Sequence, residues 1–408
     1  MMLHKERDKR IRIAILFSLF VVMTGYGVLL PVLPFYVERL SLKSGINQET
    51  INLHVGALTS VYSFFQMVFA IVWGKLSDRF GRRRFIIMGL IGFILMEILT
   101  GLSTSLTMFY VARITGGILT AALIPVSNAY LSDITSPNNR GKIMGWSGMA
   151  ISTGIIVGPM AGAFLSRTDL HLSIKAGIFH IDKFSVPFFA LIIPAMATLI
   201  LVLKTLKPDI NKTEPSLLYT LGHVNESPKY SLFVLLLFSF IFQFSVTSFE
   251  AAFSIYAKST LLFNTYQIGA GFMLCGLFMA IFQPLFASVK TRMFSDTVKL
   301  LAGFVIAAFA LVVLPFVNGQ IFVYILIVLF ATGGAMIVPQ LSALISLADG
   351  SHTAKNLSLQ ASVNNAGQIL GPLLGAWLIG NLNFIPFLIS GGVLIIPVFM
   401  LKRWRNQH

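Results

Sequence analysis

The chain has 408 residues, of which 56% are hydrophobic and 11% are charged, and its formal net charge is +15. Because a soluble domain carries about 25% charged residues, this composition excludes an ordinary soluble protein and places most of the chain in lipid. The excess of positive charge then indicates cytoplasmic loops that face anionic lipid, and not a nucleic-acid partner.

Long apolar stretches predict twelve membrane-spanning helices joined mostly by short loops, since about 20 apolar residues cross a bilayer. The basic N-terminus runs into the first apolar stretch without an evident small-residue cleavage site, so we expect this stretch to be retained as a span. Lys and Arg residues concentrate in alternate loops, which predicts that both termini are cytoplasmic. The predicted spans are 11–34, 55–73, 85–103, 107–131, 142–165, 186–204, 231–256, 266–289, 299–317, 320–347, 356–380 and 383–401.

A polar, proline-containing segment at 205–230 divides the chain near its middle. A repeated pattern of glycines supports two equivalent halves, because it occurs at nearly the same spacing in the fourth and tenth spans and in the fifth and eleventh. We therefore predict an N-terminal six-helix bundle at 1–204, a cytoplasmic linker at 205–230 and a C-terminal six-helix bundle at 231–408, with a site near the midplane. The repeated runs are Gly116-Gly117 with Gly333-Gly334, and Gly154-x-x-x-Gly158-Pro159-x-x-Gly162 with Gly367-x-x-x-Gly371-Pro372-x-x-Gly375.

The connection between the second and third spans, Gly74–Arg84, is short and dense in charge. Gly74 is expected to let two helix ends approach closely, and Gly81 to permit a tight turn. Asp78 is the only acid among five basic residues, so we expect it to pair with an arginine or a helix end. Composition alone favours an ordinary positively charged cytoplasmic loop.

The order of these residues, and not only their charge, matches a known sequence motif. G-K-L-S-D-R-F-G-R-R-R resembles the loop between helices 2 and 3 of the major facilitator superfamily, the twelve-helix secondary transporters. The resemblance implies an all-α integral membrane fold with two pseudo-symmetric six-helix bundles. It also implies a conformational latch, for which we predict Gly74, Asp78, Arg79, Gly81 and Arg82, with Asp133 and Arg140 of the next cytoplasmic connection as partners.

Three ionisable residues stand out away from the ends of predicted spans, and a charge at the helix centre costs about 2.5–3.5 kcal/mol. Glu250 lies among phenylalanines, which favours its neutral form and predicts a proton-coupling acid. The alternative is a structural ion pair between Glu250 and Arg113. Arg113 can hold a carboxylate in one state and release it in another, or serve only in structural hydrogen bonds. Glu97 is a weaker proton-coupling candidate, and a structural or lipid-facing role is its alternative.

The fifth span carries a second family motif. Its glycines and proline resemble the motif of drug:proton antiporters within the superfamily, apart from Ala163, where the family commonly has glycine. Physically the motif predicts a close-packing helix face with a kink at Pro159, and ordinary small-residue packing is the alternative. The motif residues are Gly145, Gly154, Gly158, Pro159 and Gly162.

The seventh span, with Ser248–Tyr256, resembles NorA-type bacterial multidrug pumps. The resemblance implies a proton-coupled exporter of small amphipathic compounds that works by alternating access in a bacterial cell membrane, as a monomer without a cofactor. It assigns proton coupling to Glu250 and Arg113 and places Gln66 and Ser152 in the substrate cavity. We add Tyr26, Phe244 and Phe249 to the predicted cavity on their residue type alone.

One departure from this resemblance concerns the tenth span, where such pumps carry a second acid followed by a basic residue. Here those positions hold Ala335 and Val338. Glu250 then works alone or with help from Glu97, or the substrate is not cationic.

Other functions remain open at this point. One is an exporter of a single endogenous metabolite, such as a siderophore or an organic anion, and another is a non-transporting membrane sensor. The single cysteine excludes internal disulfides and argues against a metal cluster. No nucleophile–base pair and no phosphate-binding G-x-x-x-x-G-K-[ST] run is present, so we do not expect an enzyme.

Overall fold

The structure is a computed structural model of the full chain. It describes residues 2–41, 47–136, 140–166, 173–176, 179–206, 231–287, 295–348, 353–379 and 384–405. The predicted linker at 205–230 therefore lies almost wholly outside the described residues.

The described residues form thirteen α-helices and one short hairpin. Ten stretches are helices long and apolar enough to cross a membrane, and the pair α4 and α5 counts as one of them. The helices are α1 Met2–Ser41, α2 Gln48–Phe80, α3 Arg82–Gly101, α4 Leu106–Thr120, α5 Leu123–Asp133, α6 Arg140–Leu165, α7 Val186–Thr205, α8 Leu232–Ser259, α9 Thr265–Ala287, α10 Asp296–Val313, α11 Gln320–Leu347, α12 Thr353–Ile379 and α13 Ile385–Arg405.

Each of the twelve predicted spans coincides with a helix, with one interruption. The fourth span is divided into α4 and α5 by a turn at Ala121 and Ala122. Pro125 explains the turn, because a proline ring clashes with the carbonyl four residues earlier and its nitrogen cannot donate a hydrogen bond.

The predicted loop at 74–84 is wrong in its extent. Helix α2 continues to Phe80 and α3 begins at Arg82, so the whole connection is Gly81. Its φ of 96° lies in the left-handed region that glycine adopts without strain, as predicted. The reason given for Gly74 is also wrong, because a Cβ at that position would meet nothing within 4 Å.

The chain forms two compact units. Unit 1 comprises Met1–Asn47, Val61–Asn211 and Phe263–Met273. Unit 2 comprises Gln48–Ser60, Lys212–Leu262 and Leu274–His408. The start of α2 thus belongs to unit 2 and the start of α9 to unit 1.

In unit 1, helix α6 packs on α1 through the glycines of the fifth span. A Cβ on Gly154, Gly158 or Gly162 would lie 2.5 Å from a carbonyl oxygen of α1. These carbonyls belong to successive turns, so the two backbones touch along a continuous stripe. They are the carbonyls of Phe20, Thr24 and Val28.

Unit 2 repeats this contact between α12 and α8. A Cβ on Gly371 would lie 2.7 Å from the carbonyl oxygen of Phe244, and one on Gly375 would lie 2.7 Å from that of Ser248. The glycine runs that repeat in the sequence therefore occupy equivalent packing positions in the two units.

The segment between α6 and α7 forms an antiparallel hairpin of β1 Ser173–Ala176 and β2 Phe179–Asp182. Asp182 ends the second strand and forms a salt bridge of 2.5 Å with Arg39 of α1. Arg39 also donates to the carbonyl oxygen of Ser103 at 3.2 Å and covers the ring of Tyr36. The hairpin is thereby fixed to the end of α1.

We expect Gly158→Ala to lower the free energy of unfolding by roughly 1–3 kcal/mol, because the new methyl group overpacks the contact with Thr24. The matched control is Gly148→Ala on the same helix, where a Cβ would meet nothing within 4 Å. Thermal unfolding of the purified protein, followed by tryptophan fluorescence, measures both. Equal midpoints for the two variants would contradict the proposed backbone contact.

Candidate functional site

Unit 1 holds a buried cluster of ionisable and polar side chains contributed by four helices. Glu97 of α3 is 2% exposed and Arg113 of α4 is 5% exposed. The guanidinium of Arg113 interacts electrostatically with Glu97, with Tyr62 of α2 and with Tyr26 of α1. We call this set the unit 1 cluster. It brings three predicted site residues together: Glu97, Arg113 and Tyr26.

Local packing explains why Glu97 is buried. Gly25 of α1 lies directly against α3, since a Cβ there would be 3.2 Å from Oε1 of Glu97 and 2.5 Å from the ring of Phe93. The missing side chain lets α1 cover the carboxyl group. The lipid-facing alternative for Glu97 is therefore wrong, and the acid beside Arg113 within its own unit is Glu97.

The Arg113 guanidinium is surrounded by a thioether sulfur and two aromatic rings. Its Nη1 lies 3.7 Å from the sulfur of Met96, and its central carbon lies 5.3 Å from the ring centroid of Tyr62 and 5.9 Å from that of Phe109. Aromatic faces attract a cation without neutralising it. Among the residues that the structure describes, Nε of Arg113 and Oε2 of Glu97 have no hydrogen-bond partner.

Hydrogen bonds extend the cluster along α2 and α4. Nε2 of Gln66 donates to the hydroxyl of Tyr62 at 3.2 Å, and that hydroxyl lies 3.0 Å from Oγ1 of Thr120. Gln66 is half-buried, so it joins the cluster from its accessible side. Tyr62 and Thr120 are members that the sequence reasoning missed, although Tyr62 precedes Gln66 by one helical turn and Thr120 follows Arg113 by about two.

In unit 2, Glu250 of α8 is half-buried, and its carboxylate acts electrostatically on the thiol of Cys275 of α9. The two phenylalanines predicted for the cavity belong to the core instead. Phe249 is 2% exposed and its ring centroid lies 4.9 Å from that of Phe330. Phe244 is buried and its ring stacks on Phe240 at 6.1 Å.

The charged connection around Gly81 joins four helices of unit 1, namely α2, α3, α5 and α7. Arg82 forms salt bridges with Asp133 of α5 at 2.8 Å and with Asp78 at 3.4 Å. Nη2 of the adjacent Arg83 donates to the carbonyl oxygen of Leu203 in α7 at 3.1 Å. Arg79 instead lies over the ring of Phe80, its central carbon 5.3 Å from the centroid.

Three further predicted residues lie on α6. Ser152 is half-buried, and a Cβ on Gly145 would meet nothing within 4 Å, so this glycine is not part of the contact with α1. The side chain of Arg140 lies outside the described residues, and its latch role stays a prediction.

A second polar cluster, in unit 2, was not predicted. It contains Ser239 of α8, Ser342 of α11, and Gln360 and Asn364 of α12. The sequence does carry a signal for it, because Asn356, Gln360 and Asn364 recur every four residues and so share one face of α12. Among the described residues, no group of three or more His, Cys, Asp or Glu side chains could hold a metal ion.

The model of the Major Facilitator Superfamily matches residues 15–352 and 235–408. Multidrug resistance protein 2 of Bacillus subtilis (strain 168) is 26% identical, with 98% of this chain and 97% of that protein covered. Quinolone resistance protein NorA of Staphylococcus aureus is 22% identical, with 94% of each covered.

Among solved structures, a bacterial homologue of the human lysosomal transporter Spinster matches with a TM-score of 0.77 and 13% identity, over 97% of this chain and 96% of that chain. At this identity the likeness concerns the fold alone. The predicted architecture of two six-helix bundles and the resemblance to multidrug pumps are confirmed by these comparisons.

We expect Glu97→Gln and Arg113→Met each to destabilise the protein, because each leaves a buried group without its charged neighbour. The double variant should lose less than the sum of the two, with a coupling of about 0.5–3 kcal/mol. Thermal unfolding of the four proteins in one detergent measures this cycle. Strictly additive losses would mean that the two charges do not interact.

Proposed function

This chain belongs to the Major Facilitator Superfamily, and we propose that it exports small amphipathic compounds across the bacterial cell membrane in exchange for protons. The observation that carries the proposal is the unit 1 cluster, in which a buried carboxyl group faces a buried guanidinium without a direct hydrogen bond. The names of the similar proteins, which are multidrug and quinolone resistance proteins, support the substrate class.

The chemistry of the cluster follows from burial. A charged Glu97 is attracted to Arg113, whereas a protonated Glu97 no longer neutralises it. Taking up or releasing a proton at this acid therefore changes how strongly α3 and α4 hold one another. A change of this kind, biased by a proton gradient, gives a two-state transporter its direction.

Glu250 supplies a second acid in unit 2. It is half-buried, whereas Glu97 is buried, so water and substrate reach Glu250 more readily. We assign substrate sensing and proton exchange to Glu250, and proton storage beside Arg113 to Glu97. This division accounts for coupling without an acid in the tenth span, where Ala335 is completely buried.

Alternating access requires a contact that forms in one state and breaks in the other. We assign this role to Arg82 with Asp78 and Asp133, which join α2, α3 and α5 on the surface of unit 1. We further propose a monomer with cytoplasmic termini and no bound cofactor, driven by the proton gradient. The relatives' names do not favour an exporter dedicated to one endogenous metabolite.

We expect wild-type protein in proteoliposomes to move a lipophilic dye cation when a pH gradient is imposed. The initial transport rate of Glu250→Gln should be at least tenfold lower than that of wild type. The amide keeps the shape of the side chain but cannot exchange a proton. Glu49→Gln, at an exposed acid near the start of α2, is the control and should keep the wild-type rate. Gradient-driven transport by Glu250→Gln at the wild-type rate would exclude the role given to Glu250.

For the latch, Arg82→Asp should lower the transport rate because it places three acids together, and adding Asp133→Arg should restore part of it. The control is Arg84→Asp, since Arg84 is exposed and makes no salt bridge with the described residues. Dye transport in the same vesicles measures all variants. An equal loss in Arg82→Asp and Arg84→Asp would assign the effect to net charge alone.

A further inference from the structure

Unit 2 contains a cavity of about 190 Å³ between α8, α11 and α12. It lies in the half of the unit that holds the first part of α8, the last part of α11 and the first part of α12. In the proposed orientation this half is cytoplasmic. The cavity is smaller than the roughly 300–1,000 Å³ of pockets for drug-sized ligands, so it suits one group of a larger compound.

The lining combines an aromatic wall with neutral polar groups, and it includes no charged side chain. Phe242 supplies the aromatic wall, and its ring is fixed against Gly334 of α11, where a Cβ would lie 2.9 Å from it. The polar lining consists of Ser239, Gln243, Ser342, Gln360 and Asn364.

The polar side chains are already joined to one another. Nε2 of Gln360 donates to the hydroxyl oxygens of Ser239 at 3.2 Å and of Ser342 at 3.3 Å. The Ser239 hydroxyl donates to Oδ1 of Asn364 at 2.9 Å. The network orients both amide groups, so their remaining atoms are presented in fixed directions.

Two hydrogen-bonding atoms are left over at the cavity. Gln360 uses its nitrogen and Asn364 uses its oxygen in the network, so Oε1 of Gln360 and Nδ2 of Asn364 make no hydrogen bond with the described residues. One is an acceptor and the other a donor. A polar atom at the wall of a cavity destabilises the protein unless a ligand or a water molecule forms a hydrogen bond with it.

We propose that this cavity binds an uncharged, planar group with a donor beside an acceptor, such as the carboxamide of an aromatic amide. The donor of the ligand faces Oε1 of Gln360, its acceptor faces Nδ2 of Asn364, and its ring lies on Phe242. This inference rests on the proposed function, because it names the part of the exported compound that unit 2 recognises.

The position of Glu250 complements this assignment. It follows Gln243 by about two turns of α8, or about 10 Å. A compound with a cationic group near Glu250 and a neutral amide or similar group in the cavity would be bound at both ends. The amphipathic substrates in the proposed function have this character.

The test exchanges one donor for an acceptor. In Asn364→Asp the oxygen that accepts from Ser239 is kept, and the free amide nitrogen becomes a carboxylate oxygen. The probes are benzamide, which is neutral, and benzamidine, a cation of the same shape that carries only donors. Equilibrium binding to the full chain in lipid nanodiscs, without a pH gradient, is measured by saturation-transfer NMR titration.

We expect benzamide to bind Asn364→Asp about five- to tenfold more weakly than wild type. Wild type should prefer benzamide to benzamidine, and Asn364→Asp should prefer benzamidine. The matched control is Asn365→Asp, which adds the same charge to the next residue of α12 outside the cavity lining and should keep the wild-type preference. Ser342→Ala, which removes one of the two hydrogen bonds that hold the amide of Gln360, should weaken benzamide binding about threefold.

The outcomes separate this inference from the proposed function. An unchanged preference in Asn364→Asp, the same reversal in Asn365→Asp, or no binding of benzamide to wild type would each overturn the cavity assignment. Failure of the dye-transport experiment would overturn proton-coupled export and would leave the binding result as it stands. If Asn364→Asp does not fold, benzamide binding to Ser342→Ala at wild-type affinity overturns the assignment instead.

Discussion

Backbone contact along two glycine stripes fixes the register of α6 against α1 and of α12 against α8. In unit 1 the stripe on α6 holds α1 so closely that a methyl group would not fit beside Thr24. In unit 2 the stripe on α12 holds α8 in the same way. Because lipid gives no hydrophobic drive for helices to associate, such close contact is what fixes their register. In unit 2 this register places Ser239 beside Asn364.

The two units contain different polar groups. Unit 1 buries an acid and a guanidinium and leaves one atom of each without a hydrogen bond in the described structure, which suits a site that stores and releases a proton. Unit 2 presents one half-buried acid and a neutral amide cluster, which suits recognition of an amphipathic molecule. The absence of an acid at Ala335 is consistent with this division, since its side chain is completely buried.

Several residues were predicted for the site from their residue type alone. Packing decided whether the structure places them there. Glu97 ranked lowest among the three ionisable residues, yet it is the acid next to Arg113, because Gly25 lets α1 cover it. Phe249 looked suited to a cavity, yet its ring packs against Phe330. Asp133 was correctly placed beside the charged connection, but its partner Arg82 was one of several equivalent arginines. A sequence pattern does not distinguish such neighbours.

The sequence by itself determined the class of protein, the twelve spans, the duplicated halves and the tight turn at Gly81, because hydropathy and glycine spacing act locally along the chain. The structure decided how short the connection is, since α2 and α3 continue to either side of this glycine. Only the tertiary structure decided which buried charges meet and which polar residues line a cavity. These depend on the rotation and register of one helix against another. Side chains distant in sequence set that register, as Ser239 and Asn364 do where α8 meets α12.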